Sequence, residues 1–446
     1  MRISGAIVVA GYLVWITVPY LRRSRSKEQP YGAYATGQKN YSWFWILSGL
    51  SATYIGGAAI LNLPSLGYTY GWFALSDVIP TAVALVFSAF VLAPLSRQKQ
   101  ALSLGTFLER RRSDIVVLVG LLSTVVYTLI TAAQIVALTA ILKPYVPLDS
   151  NVIAVLGSLG VLAYVFIGGY DTVTFTDVIQ FVFMGLLYFL PVAILSAGID
   201  PSGPIVNTVP MPADMILLLA LPILFVPVSQ DLHIRLHSAL TLRDAVLGTF
   251  LSGVVYLLFG CISVGLGVHT GQAGIVLSSP DDVVPQFLQT KFGALSPIPT
   301  IAILAVILST FDAMIFAAST ALGYEVIDVL RSARARRSES AAARWSAVAV
   351  VAAALCIATT RPRILNLILP ALVIYVSVLV PVLIGVVLKV PERPLAVIAL
   401  IALTIVVILE ASSVHLPYRA FVYTGTHMVC VIAARRIWPQ ESPGDS

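Results

Sequence analysis

Charge is what this sequence has least of, since Asp, Glu, Lys and Arg together make up 11% of its 446 residues. Soluble domains carry about 25% charged residues. A chain with 58% hydrophobic residues and a mean hydropathy of +0.94 cannot cover itself with a wettable surface. The bilayer is therefore expected to be its main solvent, and residues 1–446 are predicted to form one transmembrane domain because no polar stretch is long enough for a separate soluble one.

Cysteine is also scarce, and three catalytic signatures are missing. Cys261, Cys356 and Cys430 each lie in an apolar run, which argues against a disulfide framework, and no CxxC spacing indicates a metal site. The sequence contains no G-x-x-x-x-G-K loop and no H-E-x-x-H motif, and no catalytic triad can be argued from it. We therefore expect no enzymatic activity.

Apolar runs of about 20 residues, the length that crosses a bilayer, indicate about thirteen transmembrane helices. They lie at residues 3–20, 43–66, 72–95, 114–142, 150–168, 173–198, 213–233, 244–269, 297–328, 343–360, 364–388, 393–410 and 417–434. With the N-terminus outside, 21 of the 27 Lys and Arg residues lie on one set of faces and six on the other. Cytoplasmic faces are the basic ones, so the C-terminus is predicted to be inside, and the net charge of +6 does not indicate nucleic-acid binding.

Two of these runs contain residues that interrupt helices. The run 43–66 holds the pair Gly56-Gly57 and then Pro64, and the run 213–233 holds Pro222 and Pro227. Interrupted spans at corresponding places in two halves are typical of transporters built from inverted repeats, with the binding site at the breaks. The alternative is a pair of ordinary proline kinks.

Motifs along the chain resemble those of the sodium:solute symporter family, which includes bacterial sodium/proline and sodium/galactose transporters. They are Leu47-Ser48-x-x-Ser51-Ala52-Thr53-Tyr54-Ile55-Gly56-Gly57 with Leu63-Pro64 and Gly67-Tyr68-x-x-Gly71-Trp72, Leu102-Ser103-Leu104-Gly105-Thr106-Phe107-Leu108-Glu109-Arg110, Ile167-Gly168-Gly169 with Thr176-Asp177-Val178-Ile179-Gln180, and Leu308-Ser309-Thr310 with Ala318-Ser319-Thr320 and Tyr324-Glu325-Val326-Ile327-Asp328; Gln230-Asp231-x-x-x-Arg235 is a weaker fifth. The resemblance covers residues 40–385.

That resemblance implies an all-α polytopic membrane protein with the LeuT-type 5+5 inverted-repeat fold. The two repeats would be residues 43–198 and 213–388, with an extra span and loop at 1–42 and two extra spans at 393–434. It also implies Na⁺-coupled symport of a small organic solute into the cytoplasm by alternating access, in a bacterial-type plasma (inner) membrane.

The family's main Na⁺ site lies where the broken span meets the ninth span. Na⁺ is a hard cation that prefers oxygen ligands. Carried onto this sequence, its ligands are the carbonyl groups of Ala52, Ile55 and Val306 and the hydroxyl groups of Ser309 and Thr310. The alternative is that both hydroxyl groups bond only to the preceding helical turn.

Two carboxylates indicate a second cation or proton site. Asp177 lies in a motif that some family members use for a second cation, and Asp312 stands with Ala313 where those members have hydroxyl groups. Two neighbouring carboxylates need a cation or a shared proton. We therefore predict a second Na⁺ or a proton at Asp177 and Asp312; the alternative is that each pairs with a nearby hydroxyl group or Arg.

The substrate positions implied by the resemblance are Ala59, Asp77, Val78, Phe225 and Val373. A sugar needs several fixed polar partners, and these positions hold one. A carboxylate in an apolar, aromatic pocket favours an amine or an amino-group-bearing solute. The alternative for Asp77 is a solvated place near the external interface.

Two other functions remain open on sequence grounds. A proton instead of Na⁺ would make the protein a proton-coupled symporter of the same fold. A protein with this membrane fold can also act as a sensor of a small solute, which here would need a separate partner.

Overall fold

The structure, a computed structural model, describes residues 34, 40–99, 103–108, 114–143, 146–196, 210–212, 215–216, 219–293, 297–330, 339–360, 364–411 and 419–438. Within these ranges the regular structure is helical, apart from one isolated parallel bridge between Tyr41 and Ala239. The predicted all-α class is confirmed, and its cause is that a helix satisfies its own backbone groups where the bilayer offers no water. The predicted first span, at 3–20, lies outside the described residues.

The helices are numbered along the chain. They are α1 Trp43–Tyr54, α2 Gly57–Tyr70, α3 Leu75–Phe87, α4 Ala93–Lys99, α5 Leu104–Leu108, α6 Asp114–Leu142, α7 Ser150–Met184, α8 Leu190–Ser196, α9 Pro222–Phe225, α10 Gln230–Ser238, α11 Leu242–Gln272, α12 Val283–Phe292, α13 Pro297–Thr320, α14 Asp328–Leu330, α15 Glu339–Thr359, α16 Ile364–Val387, α17 Glu392–Ala411 and α18 Arg419–Ile437. Short 3₁₀ segments occur at Gly71–Ala74, Val226–Val228 and Pro280–Asp282, and π-helical segments at Ser88–Leu92, Gly185–Phe189 and Ala321–Ile327.

Eight helices of the described part are long and apolar enough to cross a membrane, so the chain is a multi-pass membrane protein. Several of the thirteen predicted spans are not counted separately among these eight helices. The run 213–233 is divided into short pieces, and the runs 150–168 and 173–198 join in one element. α18 carries Arg435 and Arg436 in its last turn and does not meet the same test.

Helix α7 bends sharply at Gly169. The hydroxyl groups of Tyr164 and Thr176 both donate to Oδ2 of Asp312, at 2.8 and 3.0 Å. In a straight helix these two residues would stand about 18 Å apart along the axis, too far for both to reach one oxygen. Gly169 has φ 60° and ψ −149°, and a Cβ there would lie 2.7 Å from the Tyr34 ring. The bend falls at the boundary predicted between the fifth and sixth spans.

Helix α13 is the centre of the bundle. The most apolar stretch of the span that contains it is 94% buried, whereas that of α17 is 28% buried. α13 packs on α6, α7 and α15, while α1, α2 and α3 pack on α11. The helix that carries Ser309, Thr310 and Asp312 is therefore surrounded by protein on all sides, and α17 lies at the periphery.

Candidate ion and substrate sites

The first broken helix is interrupted between α1 and α2. Ile55 has the non-helical angles φ −82° and ψ 48°, and Gly56 is extended. A Cβ on Gly56 would lie 2.6 Å from Oγ1 of Thr310, so the backbone at the break can approach α13 only because there is no side chain. Gly57 begins the next helix, and Pro64 lies within that helix without ending it.

The second break lies between α9 and α10. Pro222 is the first residue of α9, and Pro227 lies in the 3₁₀ segment Val226–Val228. Ser229 is extended, with φ −74° and ψ 127°, and its side chain accepts a hydrogen bond from the Leu232 amide to cap α10. Both interrupted spans predicted from the sequence are thus present.

Three of the five predicted Na⁺ ligands meet behind the first break. Oγ1 of Thr310 lies 3.5 Å from the carbonyl oxygen of Ala52 and 3.3 Å from those of Thr53 and Val306. These oxygens come from the last turn of α1 and from consecutive turns of α13, so the group joins the broken helix to the central one. Its chemistry, oxygen donors only, fits a hard monovalent cation.

The other two predicted ligands lie next to this group. Ile55 is the non-helical residue of the break, fully buried. Ser309 does not face Ala52 in this structure, because its hydroxyl group donates to Oδ1 of Asp177 at 2.6 Å. Ser309 therefore connects the predicted main Na⁺ site with the predicted second site.

Asp177 and Asp312 lie on one seam between α7 and α13. Both are completely buried. Asp177 is bonded by Ser309, which is three residues from Asp312 on the same helix, and Asp312 is bonded by Thr176, the neighbour of Asp177. Oδ1 of Asp312 has no hydrogen-bond partner among the described residues. The geometry brings the two predicted carboxylates together.

Arg235, one of the 21 Lys and Arg residues that the sequence analysis counted on the cytoplasmic faces, is instead buried to 1% exposure beside these carboxylates. Its Nε bonds both carboxylate oxygens of Asp231, at 3.1 and 3.0 Å, and its Nη2 lies 3.0 Å from Oδ2 of Asp177 and 3.0 Å from Oγ1 of Thr53. A Cβ on Gly49 would lie 1.9 Å from Nη1, so the guanidinium can pack against α1 only because residue 49 has no side chain. The signal was present in the sequence as an Asp and an Arg four residues apart in an intramembrane helix.

The cluster carries more negative than positive groups. The cluster holds three buried carboxylates, of Asp177, Asp231 and Asp312, and the Arg235 guanidinium bonds the first two of them. Buried charges without a partner are costly, so this cluster is suited to take up a further cation or protons.

A fourth buried carboxyl group, that of Glu325, was quoted in a motif but given no function. One of its oxygens accepts hydrogen bonds from the Gly105 amide at 3.0 Å and from Nε2 of Gln230 at 3.1 Å. Oε1 of Gln230 accepts from the Leu104 amide at 2.9 Å. Glu325 thus ties α5 and the start of α10 to the π-helical segment that follows α13.

A cavity of about 300 Å³ lies between α2, α3, α9, α11 and α16. Three predicted substrate residues line it: Ala59, Asp77 and Phe225. Asp77 is half-buried, and its Oδ2 accepts a hydrogen bond from the Tyr256 hydroxyl group at 3.3 Å. Tyr256 also lines the cavity and was not singled out from the sequence.

The other two predicted substrate residues do not line this cavity. Val78 faces α11, where a Cβ on Gly260 would lie 2.3 Å from its Cγ1. Val373 is fully buried, while its neighbour Leu372 lines the cavity. Consecutive residues of a helix point about 100° apart, so a one-residue difference moves a side chain off the cavity wall.

Seven polar side chains line the cavity, more than the single one that the sequence analysis expected among the substrate positions. They belong to Tyr54, Asn62, Ser65, Asp77, Thr81, Tyr256 and Asp281. Among the described residues that line the cavity, none is Lys or Arg. The charged side chains among these lining residues are therefore both carboxylates, those of Asp77 and Asp281.

Tyrosines beside the cavity satisfy polar groups at the second helix break. Tyr54 lines the cavity, and the rings of Tyr127 and Tyr375 pack against Phe225, which also lines it. The Tyr54 hydroxyl group donates to Oγ of Ser229 at 3.1 Å, and that of Tyr375 donates to the Val228 carbonyl group at 3.1 Å. The Tyr127 hydroxyl group accepts from the Gln230 amide at 2.9 Å. The bond from Tyr54, the last residue of α1, joins the first break to the second.

Hydrogen bonds join several segments of the chain around Tyr41 and Ala239. Arg97 donates to two successive carbonyl groups, those of Ala239 at 2.9 Å and Leu240 at 2.8 Å. The Leu240 amide donates to the Tyr41 carbonyl group at 2.8 Å, and the Tyr41 hydroxyl group bonds Asp171. Asp281, which lines the cavity, lies beyond the opposite end of α11 from Tyr41.

The described part of the chain is a multi-pass helical bundle with two helix breaks beside a cavity, and known proteins share this fold. Residues 34–203 match the model of the sodium:solute symporter family, which confirms the resemblance read from the motifs. Over its whole length the chain is similar in fold to a Na⁺-coupled sialic acid symporter solved in a substrate-bound outward-open state, with a TM-score of 0.77, 15% identity and 98% of each chain covered. Mhp1, a nucleobase-cation-symport-1 family transporter solved with bromovinylhydantoin bound, has a TM-score of 0.59 at 15% identity, covering 92% of this chain and 96% of Mhp1.

Two curated relatives match part of the sequence. The sodium/sialic acid symporter NanT of Aliivibrio fischeri is 26% identical over 200 residues, which is 44% of this chain and 37% of the relative. The high-affinity choline transporter 1 of Caenorhabditis elegans is 29% identical over 152 residues, which is 33% of this chain and 26% of the relative. The matched stretches thus span about a third of NanT and about a quarter of the choline transporter.

Proposed function

We propose that the protein is a Na⁺-coupled symporter that moves a small organic cation through the membrane by alternating access. The observation that carries the proposal is the placement of the Thr310 oxygen group directly behind the helix break that also borders the cavity. An ion bound to Ala52, Ile55, Val306, Ser309 and Thr310 would hold the broken helix against α13. Ion binding and the shape of the cavity would then depend on each other, which is the requirement for coupling.

The negative charge of the cavity wall favours a positively charged solute. Asp77 and Asp281 are its two carboxylates, and the aromatic rings of Tyr54, Phe225 and Tyr256 supply faces that attract a cation. An anionic sugar such as the solute named for the sialic acid relatives would need a positive partner in the wall. A choline-like or amine-bearing solute finds its partner in Asp77.

The proposed transport cycle uses the two ends of the bundle. Na⁺ and solute enter from the Asp281 end, which the charge distribution predicts to be external. The Tyr41 end then opens as Arg97 and Tyr41 release the segment at Ala239. Na⁺ and the solute leave through this end into the cytoplasm. Inward movement of one Na⁺ gains about 2.3 kcal/mol per 100 mV of membrane potential.

A proton-coupled version is the second candidate, and the carboxylate cluster favours it. Three carboxylates against one guanidinium can take a proton at Asp177 or Asp312 as well as a second Na⁺. The two versions differ in the gradient that drives uptake.

Uptake of radiolabelled choline into proteoliposomes tests the proposal, with sialic acid as the anionic comparison. We expect uptake driven by an inward Na⁺ gradient, and its loss in Asp77→Asn. Uptake driven equally well by a pH gradient without Na⁺ would favour the proton version. Uptake of sialic acid instead of choline would overturn the cationic class.

The ion site has a matched pair of variants on α13. Thr310→Val removes the hydroxyl group at nearly constant volume, and we expect it to abolish stimulation by Na⁺. Thr320→Val is the control, because the Thr320 hydroxyl group bonds only to the preceding turn, at Phe316 and Ala317. Equal Na⁺ dependence in both variants would refute the assigned site.

A further inference from the structure

The mouth of the cavity carries a carboxylate that the motifs do not include. Asp281 belongs to the 3₁₀ turn Pro280–Asp282, between α11 and α12, and it lines the cavity. Its Oδ1 accepts a hydrogen bond from Oγ of Ser65 on α2, at 3.1 Å. The side chain is exposed, whereas Asp77 is half-buried.

The loop that holds Asp281 is anchored to the broken helix. The Tyr68 hydroxyl group donates to the Ile275 carbonyl group at 3.0 Å and accepts from the Leu277 amide at 3.4 Å. With the Ser65 bond, α2 therefore holds the loop at several points. The position of this carboxylate at the mouth is set by the fold.

Asp77 and Asp281 are the two charged residues among the described lining residues, and they are bonded to different helices. A cavity with one sign of charge and low-dielectric walls concentrates ions of the opposite sign and raises their association rate. An outer carboxylate acts on a solute before the inner one does, because a charge in salt water is felt only within about 8 Å.

We propose that Asp281, oriented by Ser65, forms an outer binding subsite for the positively charged group of the solute, which is captured there before it moves inward to Asp77. This inference rests on the proposed function for the cationic class of solute. It assigns to Asp281 the rate of capture and to Asp77 the strength of final binding.

Stopped-flow measurement of choline binding, followed by the fluorescence of the six tryptophans, separates these roles. Asp281→Asn should lower the association rate about 3–10-fold at low salt and leave the dissociation rate nearly unchanged. Added KCl at fixed Na⁺ should remove the difference from wild type. The neutral carbon analogue of choline, 3,3-dimethylbutan-1-ol, should bind both proteins at the same rate.

The matched control is Asp282→Asn in the same turn. Asp282 does not line the cavity, and its bond from the Ser279 amide can be kept by an asparagine oxygen. Equal slowing in both variants would mean that only the general field of the loop matters, and it would overturn the subsite. An unchanged rate in Asp281→Asn, or equal slowing for the neutral analogue, would also overturn it.

The same experiment separates the two proposals. If wild type binds choline and Asp77→Asn does not, the cationic class stands, and the Asp281→Asn result alone decides the outer subsite. If wild type does not bind choline, or Asp77→Asn binds it as well as wild type does, the proposed solute class fails and the outer subsite fails with it.

Discussion

Replacing Arg235 with methionine removes the guanidinium that bonds the buried carboxylates of Asp177 and Asp231, and it leaves a shorter, uncharged and unbranched side chain. Arg235 is 1% exposed and loses four contacts of 3.0–3.1 Å, two to Asp231 and one each to Asp177 and Thr53. Breaking a buried ion pair by removing one partner costs about 3–5 kcal/mol, because the remaining charge is left uncompensated. We expect Arg235→Met to lower the free energy of unfolding by about that amount.

Unfolding by sodium dodecyl sulfate in mixed micelles, followed by circular dichroism, measures this free energy. Arg243→Met is the control, since Arg243 is exposed at the start of α11 and its replacement should change stability by less than about 0.5 kcal/mol. Adding Asp231→Asn to Arg235→Met should restore part of the loss, because one uncompensated carboxylate is removed with it. A loss below about 1 kcal/mol in Arg235→Met would refute the assigned ion pairs.

Two further predictions use the same unfolding measurement. Gly169→Ala places a side chain against Tyr34 in a backbone conformation open essentially only to glycine, and it should lower the free energy of unfolding by about 2–4 kcal/mol. The control is Gly160→Ala on the same helix, where an added Cβ meets nothing within 4 Å and should be neutral or stabilising. Equal losses of stability in the two variants would contradict the bend. Glu325→Ala leaves the Gly105 amide and the Gln230 side chain without their acceptor and should cost about 2–5 kcal/mol, whereas Glu325→Gln keeps an acceptor oxygen and should cost clearly less; the reverse order would contradict the assigned bonds.

Membrane insertion and the places of the helix breaks follow from sequence alone, because both depend on local chemistry. A run of apolar residues must become helix in a bilayer whatever surrounds it, and α6 and α11 begin and end within a few residues of their predicted limits. Gly56 and the Pro222–Pro227 region mark the breaks because the backbone chemistry of glycine and proline acts at the residue itself. Pro64 shows the limit of that reasoning, since it lies inside α2 without interrupting it.

The motifs also placed residues that the fold then brings together over long sequence distances. Ala52 and Thr310 meet across the first break, and Asp177 and Asp312 share one seam. These residues were identified through the family resemblance and not through their spacing along the chain. The family's site residues are known from folded proteins, so the resemblance already includes information on tertiary structure.

Tertiary structure alone decided which helix faces the cavity and which charges pair. Arg235 reaches Asp177 from a helix 58 positions further along the chain, a distance that no local pattern encodes. Val78 packs on α11 while Asp77 and Tyr256 face the cavity, because rotation of a packed helix is set by its neighbours. The outer carboxylate Asp281 lies at the mouth because Ser65 and Tyr68 hold its loop there, and only the folded chain brings those residues to it.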